Sequence, residues 1–382
     1  MKKNLLIISM LAAIPALSQA AQVNLYGIVD MGLVYKSDTT DLTHNGKIKD
    51  QKGHSFALQS GNSAKSRLGI KGSEDLGNGL EVGFLLENGF DADSGMLIGA
   101  KESRLFDRES SAYVKTSFGT FRAGRISTML SGVGSMGFYA KAANPFGNGW
   151  ATVIGSHSRV FANQIGIMDN VLGYVSPTVG GLTVYAQYGM GEQTAENTSK
   201  ANRYAAVGAQ YVAGPLELVA AVDHTNKKSA GLTKDENPHH DKVKDAYTLN
   251  LAGSYNFGAV KAYVATQYFK NAVDVASMTT TNKLNHRPVN QADGWGLTVG
   301  TKSPLMGGQL LVSAGYMDGK IYIDNDHRDI YAYDFGVGYT YNISKRTSLY
   351  AGTGYRYRDG KSKQVDFENK TVEVTSGLVH KF

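Results

Sequence analysis

A chain of 382 residues without a single cysteine is long enough for one large domain, and it excludes disulfide frameworks and thiolate metal sites. Lys and Arg outnumber Asp and Glu by only 39 to 33, and they are scattered rather than bunched, so nucleic acid is not indicated as a partner. Glycine reaches about 12% against a usual ~7%, tyrosine is abundant at 22, and beyond residue 20 no apolar run approaches the roughly 18 residues of a membrane helix.

The chain starts with Lys2 and Lys3, ten mostly apolar residues (5–14), Pro15 and the small-residue site Ser18-Gln19-Ala20. Ten residues are too few to span a bilayer core, so residues 1–20 are expected to be an export signal cut after Ala20, with 21–382 as a single domain. The mature chain then carries 37 basic and 33 acidic residues, a net charge near +4.

Beyond residue 20, short segments alternate with period two. Tyr247, Leu249, Leu251, Tyr255 and Phe257 share one face, opposite Thr248, Asn250, Ser254 and Asn256; Tyr331, Tyr333, Phe335, Val337 and Tyr339 repeat the pattern. Similar runs begin near residues 80, 182, 216, 295, 310 and 372. Seven tight turns separate them, at residues 74–79, 118–120, 177–181, 213–215, 257–259, 303–308 and 342–346. Longer polar segments, such as 36–54, 192–202, 226–245 and 271–291, lie between and read as loops. Seven short turns with both termini on the short-turn side require sixteen strands. The fold class expected is all-β, a 16-stranded antiparallel transmembrane β-barrel. A soluble sandwich alternates too, but small and charged residues on the polar faces suit a wet lumen, as does the final strand, with Leu378, His380 and Phe382 on one face.

Residues 126–168 interrupt the procession. These 43 residues show neither period, contain seven glycines, no Asp and no Glu, and include Asn144-Pro145-Phe146-Gly147-Asn148-Gly149. A loop this long inside a compact domain is unusual and normally functional. A barrel with the loop folded into or over it accounts for the segment, because a watery lumen leaves backbone polar groups a partner.

The segments Val23-Asn24-Leu25-Tyr26-Gly27-Ile28-Val29-Asp30, Ser66-Arg67-Leu68-Gly69-Ile70-Lys71-Gly72-Ser73-Glu74-Asp75-Leu76-Gly77-Asn78-Gly79-Leu80, Phe118-Gly119-Thr120-Phe121-Arg122-Ala123-Gly124-Arg125, Tyr339-Thr340-Tyr341-Asn342-Ile343-Ser344-Lys345-Arg346-Thr347 and Gly377-Leu378-Val379-His380-Lys381-Phe382 resemble, in that order, the trimeric general porins of Gram-negative outer membranes, in their beta-proteobacterial branch. The resemblance spans the mature chain with gaps in the long loops. It implies an inward-folded third loop, a homotrimer among outer-membrane lipid and lipopolysaccharide, and delivery by the barrel assembly machinery, with Leu378, His380 and Phe382 as the assembly signal. It also implies an arginine ladder facing acids on the third loop. Arg67, Arg159 and Arg108, the last two residues further along than in the family, match the ladder. The loop's acid is absent here, where Asn144, Pro145 and Phe146 stand, and Lys141 is the loop's own cation. The expected constriction is therefore Arg67, Arg108, Arg159, Lys141, Asn144 and Phe146, with Lys71, Asp30 and Glu81 on the pore wall.

Other signals carry no chemistry. Gly132-Val133-Gly134-Ser135-Met136-Gly137 matches a dinucleotide fingerprint but follows no buried strand and opens no apolar helix. His239-His240-Asp241 lies in a polar loop without further ligands, and His157 has no base and orienting group to make a hydrolase. Arg122 and Arg125 fall on opposite faces of one strand, so they cannot both line the pore; the resemblance implies that the second long loop, 91–107, which carries Glu102 and Asp107, latches onto the adjacent barrel, with Arg125 as the expected ion-pair partner across that contact. No enzyme, cofactor or metal is expected. The function expected is passive diffusion of small hydrophilic solutes and ions with a mild anion preference, roughly threefold for three arginines about 8 Å from the ion. The alternatives are a substrate-specific outer-membrane channel and a surface adhesin barrel.

Overall fold

The computed structural model describes residues 21–382 except 45–46, 100–103, 148, 151–152, 156–158, 163–165, 192–202, 227–243, 273–274, 276–290, 324–325 and 362–364. The expected export signal (1–20), Glu102, His157, the His239-His240-Asp241 cluster and the middles of the polar segments beyond residue 190 lie outside the described residues. The strands are β1 (Ala21–His44), β2 (Lys47–Ser60), β3 (Arg67–Gly77), β4 (Leu80–Asp91), β5 (Met96–Leu97), β6 (Glu109–Thr116), β7 (Gly119–Ser127), β8 (Ile167–Val175), β9 (Leu182–Gly189), β10 (Tyr204–Ala213), β11 (Leu216–Thr225), β12 (Ala246–Asn256), β13 (Lys261–Ala272), β14 (Gln291–Leu305), β15 (Gly308–Ile323), β16 (Asp326–Asn342), β17 (Thr347–Lys361) and β18 (Val365–Lys381). One turn of helix, α1 (Tyr139–Ala143), lies between β7 and β8.

Neighbours in sequence pair antiparallel, and β1 pairs with β18 from Ile28↔Lys381 to His44↔Val365, which closes the sheet. β2 and β3 both pair with β1, β2 along its upper part and β3 along Ala21 to Ile28, so together they make one stave broken at residues 61–66. β5 is a two-residue hairpin on β4, outside the ring of staves. The wall is therefore a closed 16-strand antiparallel barrel. Closure removes every strand edge, which is what a sheet in lipid requires.

The period-two faces resolve into an apolar outside and a polar inside. Tyr247, Leu249, Leu251 and Tyr255 are exposed on the outer wall, whereas Thr248, Asn250 and Ser254 point inward and are buried. A water-soluble barrel has the reverse arrangement. All seven tight turns fall where the sequence puts them, and two of them carry a left-handed non-glycine residue before a glycine: Asn78 and Gly79, Met306 and Gly307. Residues 36–54 depart from the expected loop. They continue β1 and β2 as a paired ladder, Lys36↔Ser55 through Thr40↔Gln51, because the polar residues there keep strand pairing beyond the apolar band.

Candidate functional site: the lumen loop and the wall it faces

The loop between β7 and β8, residues 128–166, lies inside the barrel. Glycines on the inward faces of β14 to β17 clear its bed. A Cβ on Gly336 would run into the Ile154 carbonyl, on Gly354 into Ile154 Cα, on Gly296 into the Val160 carbonyl, and on Gly300 into the Pro145 ring. Gly338 and Gly352 make the same room for Trp150. Where a strand must let another backbone approach, glycine is the residue that permits it. The apolar side chains of the loop fill the space so cleared: Met129, Phe138, Tyr139 and Phe161 pack on β9 to β16, and Phe146, Trp150 and Ile154 pack with Ile28, Leu311, Tyr350 and Val379. Full burial of each large side chain is worth about 1.5–3 kcal/mol.

Polar anchors fix the loop along its course. At its start the Met129 N–H donates to Gln187 Oε1 (2.8 Å), and the Ser135 N–H and hydroxyl donate to the buried Glu109 carboxylate (2.9 and 2.5 Å). The Tyr139 hydroxyl donates to the Leu251 carbonyl (3.2 Å), and on the return the Ala162 N–H donates to Gln267 Oε1 (2.7 Å). The far end is tied by Trp150 N–H to the Ser63 carbonyl (3.3 Å). Sequence reasoning missed Glu109, Gln187 and Gln267. Their inward parity is legible, but the loop atoms they meet are set by tertiary folding.

The loop's apolar side chains lie against β8 to β18, and the inner wall of β3, β4, β6 and β7 carries a separate cluster of charges. Glu87 organises this wall: Arg67 Nε stands 3.3 Å from Glu87 Oε2, Arg108 Nε 2.6 Å from Oε1, and the Tyr26 hydroxyl donates to Oε2 (2.8 Å). Arg67 and Arg108 thus share one carboxylate, the three groups carry one net positive charge, and Arg108, only 8% exposed, was expected in the constriction but is buried by this ion pair. Three unopposed arginines are therefore not what an ion meets. Lower on the wall, Lys71 is exposed with its Nζ 5.7 Å over the Tyr26 ring. Arg122 lies over the Tyr113 ring (4.6 Å) and donates to Ser111 (2.9 Å), and Glu81 accepts from the Tyr113 hydroxyl (2.6 Å) with Lys115 at 3.9 Å.

The remaining expected residues divide. Lys141 projects from α1 as an exposed side chain bordering a recess of about 280 Å³ with Ser135, Tyr185, Gln210 and Glu217. Arg159 sits against Arg356, Asp334 and Glu373 instead of joining Arg67 and Arg108; burial, then Arg356, push its pKa down to about 10, so it stays cationic at neutral pH. Asn144 and Phe146 were expected in the constriction, but they are only 3% and 6% exposed. They point away from the passage: Asn144 Oδ1 accepts the Phe146 N–H (2.9 Å), and the Phe146 ring lies under Gly155 and Gly338. An apolar ring at the loop's tip gains more from the glycine bed than from water. Asp30 faces inward yet is 0% exposed, sealed beneath residues 61–66, so it does not line the wall. Within its own chain Arg125 donates to the carbonyl of Asp107, at the end of the second long loop (2.6 Å), and to the Asp169 carboxylate (2.6 Å). Leu378, His380 and Phe382 are exposed on the outer face. Phe382 exchanges two backbone hydrogen bonds with Gly27 (3.1 Å each), its ring lying on that glycine. Arg356 and Arg358 are inward cations of β17 that the sequence analysis did not single out.

Comparison with known proteins agrees with this geometry. The profile of the Gram-negative porin family matches residues 7–361. An outer membrane porin protein of Bordetella pertussis is 30% identical over the whole of both chains, and outer membrane porin protein 32 of Delftia acidovorans is 29% identical over 93% of this chain and 89% of its own. The solved anion-selective porin from Comamonas acidovorans superposes with a TM-score of 0.62 at 22% identity, covering 95% of this chain and all of its own. A barrel with an apolar exterior, a loop bedded in its lumen and this kinship identify the chain as a member of the Gram-negative porin family of outer-membrane proteins.

Proposed function

We propose that this porin is a general diffusion pore of the outer membrane that passes small hydrophilic solutes and ions, with a mild preference for anions and no catalytic or energy-coupled step. The observation that carries this reading is the division of the lumen. The loop turns its apolar side chains to the β8 to β18 wall, and the charges left at the surface of the lumen are those of Arg67 and Lys71 on the wall and Lys141 on the loop, with Arg108 buried behind them. The Comamonas acidovorans porin named for anion selectivity shares the fold and supports the same sign. Arg159 acts on the ion through its field rather than by contact.

The working unit is a homotrimer set in lipid and lipopolysaccharide, made from a precursor whose residues 1–20 direct export. Leu378, His380 and Phe382 serve as the signal read by the barrel assembly machinery. Purified protein in a planar bilayer tests the reading. A conductance rising linearly with salt and a reversal potential of anionic sign in a potassium chloride gradient are expected. Saturation by one solute would make it a specific channel, and cationic sign would remove the anion preference.

A further inference from the structure

The break in the second stave is held by one residue of β1. The Asp30 N–H donates to Ser66 Oγ (3.0 Å) and its carbonyl accepts from the Gly61 N–H (3.0 Å). Its carboxylate takes the Ser63 and Ala64 N–H groups on Oδ2 (2.7 and 2.5 Å) and the Tyr350 hydroxyl on Oδ1 (2.7 Å). A break in a ladder leaves amides without strand partners, and a buried acceptor for two of them compensates that loss. Tyr350 reaches the carboxylate from β17 because Gly32 and Gly377 leave room for its hydroxyl.

The same node holds the far end of the lumen loop. With its amide bound to Asp30, Ser63 turns its carbonyl to the Trp150 N–H (3.3 Å), and the Trp150 ring meets Tyr350 edge-on (centroids 5.5 Å, 73°). Trp150 has φ of 71°, a left-handed conformation that a bulky residue keeps only when its surroundings impose it. Behind the tip stand the backbones of β16 and β17, so a released tip has the lumen as its way out.

We propose that Asp30 is a positioning residue of the pore: it clamps residues 61–66 so that Ser63 holds the strained Trp150 turn against the wall and keeps the passage open. This rests on the loop being the narrowing element of a conducting pore.

Single-channel recording of Asp30→Ala, Asp30→Asn and Trp150→Ala barrels tests it, with heat resistance of the assembled protein as the control for folding. Asp30→Ala is expected to raise the frequency of partial closures on the order of tenfold and to lower the voltage at which closure sets in. Asp30→Asn, whose amide oxygen still accepts from Ser63 and Ala64, restores most of the steady current. Asp30→Ala combined with Trp150→Ala is no noisier than Trp150→Ala alone, because both cut one tether. Should Asp30→Ala fail to assemble, Tyr350→Phe, which keeps the ring and drops one bond, is expected to show a smaller rise in closures. Steady current in Asp30→Ala, or in Tyr350→Phe where it stands in, overturns the proposal, as do additive effects in the double variant. Silence of the unaltered protein overturns the pore reading itself.

Discussion

Glu87 decides how much of the arginine charge reaches a permeating ion. A unit charge about 8 Å away contributes roughly 0.5 kcal/mol in water and about half of that at ~0.1 M salt, or some 1.5-fold in anion occupancy. Glu87→Gln leaves Arg67 and Arg108 without their shared carboxylate, so anion preference should rise about 1.5-fold in reversal-potential measurements. Lys71→Gln combined with Lys141→Gln removes two exposed charges and should lower it about twofold. If the lysine pair leaves selectivity unchanged while Arg67→Gln abolishes it, the ladder alone carries the sign. At this scale the sequence was half legible. The family resemblance placed Arg67, Lys71 and Glu81 on the inner face, but it says nothing of the neighbours at each height, and those bring Glu87 between two arginines.

The lumen loop is an element held from behind. Deleting residues 140–150 takes out all of α1 but Tyr139, together with Phe146 and Trp150, and should raise conductance and admit larger sugars while the barrel forms on its own ladder. An unchanged solute cutoff in a folded deletion variant would mean that the loop does not narrow the pore. Gly336→Ala tests the opposite direction. Its methyl meets the Ile154 carbonyl, and because the sheet cannot yield, the loop should shift inward and conductance fall. Loss of alternation made the loop's existence and limits legible, and the structure trims 126–168 only to 128–166. Which of its faces looks at water was not legible. Asn144 and Phe146 sit at the tip in sequence, yet the tip folds back onto glycines contributed by β14 to β17, more than 140 residues downstream.

For the whole molecule, alternation and seven turns were enough to count the staves, since strand pairing between sequence neighbours is local. The seam is not local: β1 meets β18 across nearly the full chain, and Phe382 locks onto Gly27. Removing Phe382 deletes two backbone hydrogen bonds and a ring from the outer face, and should leave protein in the periplasm with little heat-resistant trimer. Normal trimer yield would show that neither seam nor assembly depends on it. The extended hairpin at residues 36–54 was misread as a loop because polar strands beyond the lipid band look like loops in composition.

The glycine bed also separates two properties that selection acts on. A cell challenged with a bulky toxic solute gains by a tighter sieve but still needs ions and nutrients of the same charge. One methyl added behind the loop, at Gly336 or Gly354, tightens the sieve and leaves every charged group of the passage in place. Tolerance acquired in this way would be invisible to a survey of pore-lining side chains. It would be found as alanine on the hidden face of β16 or β17.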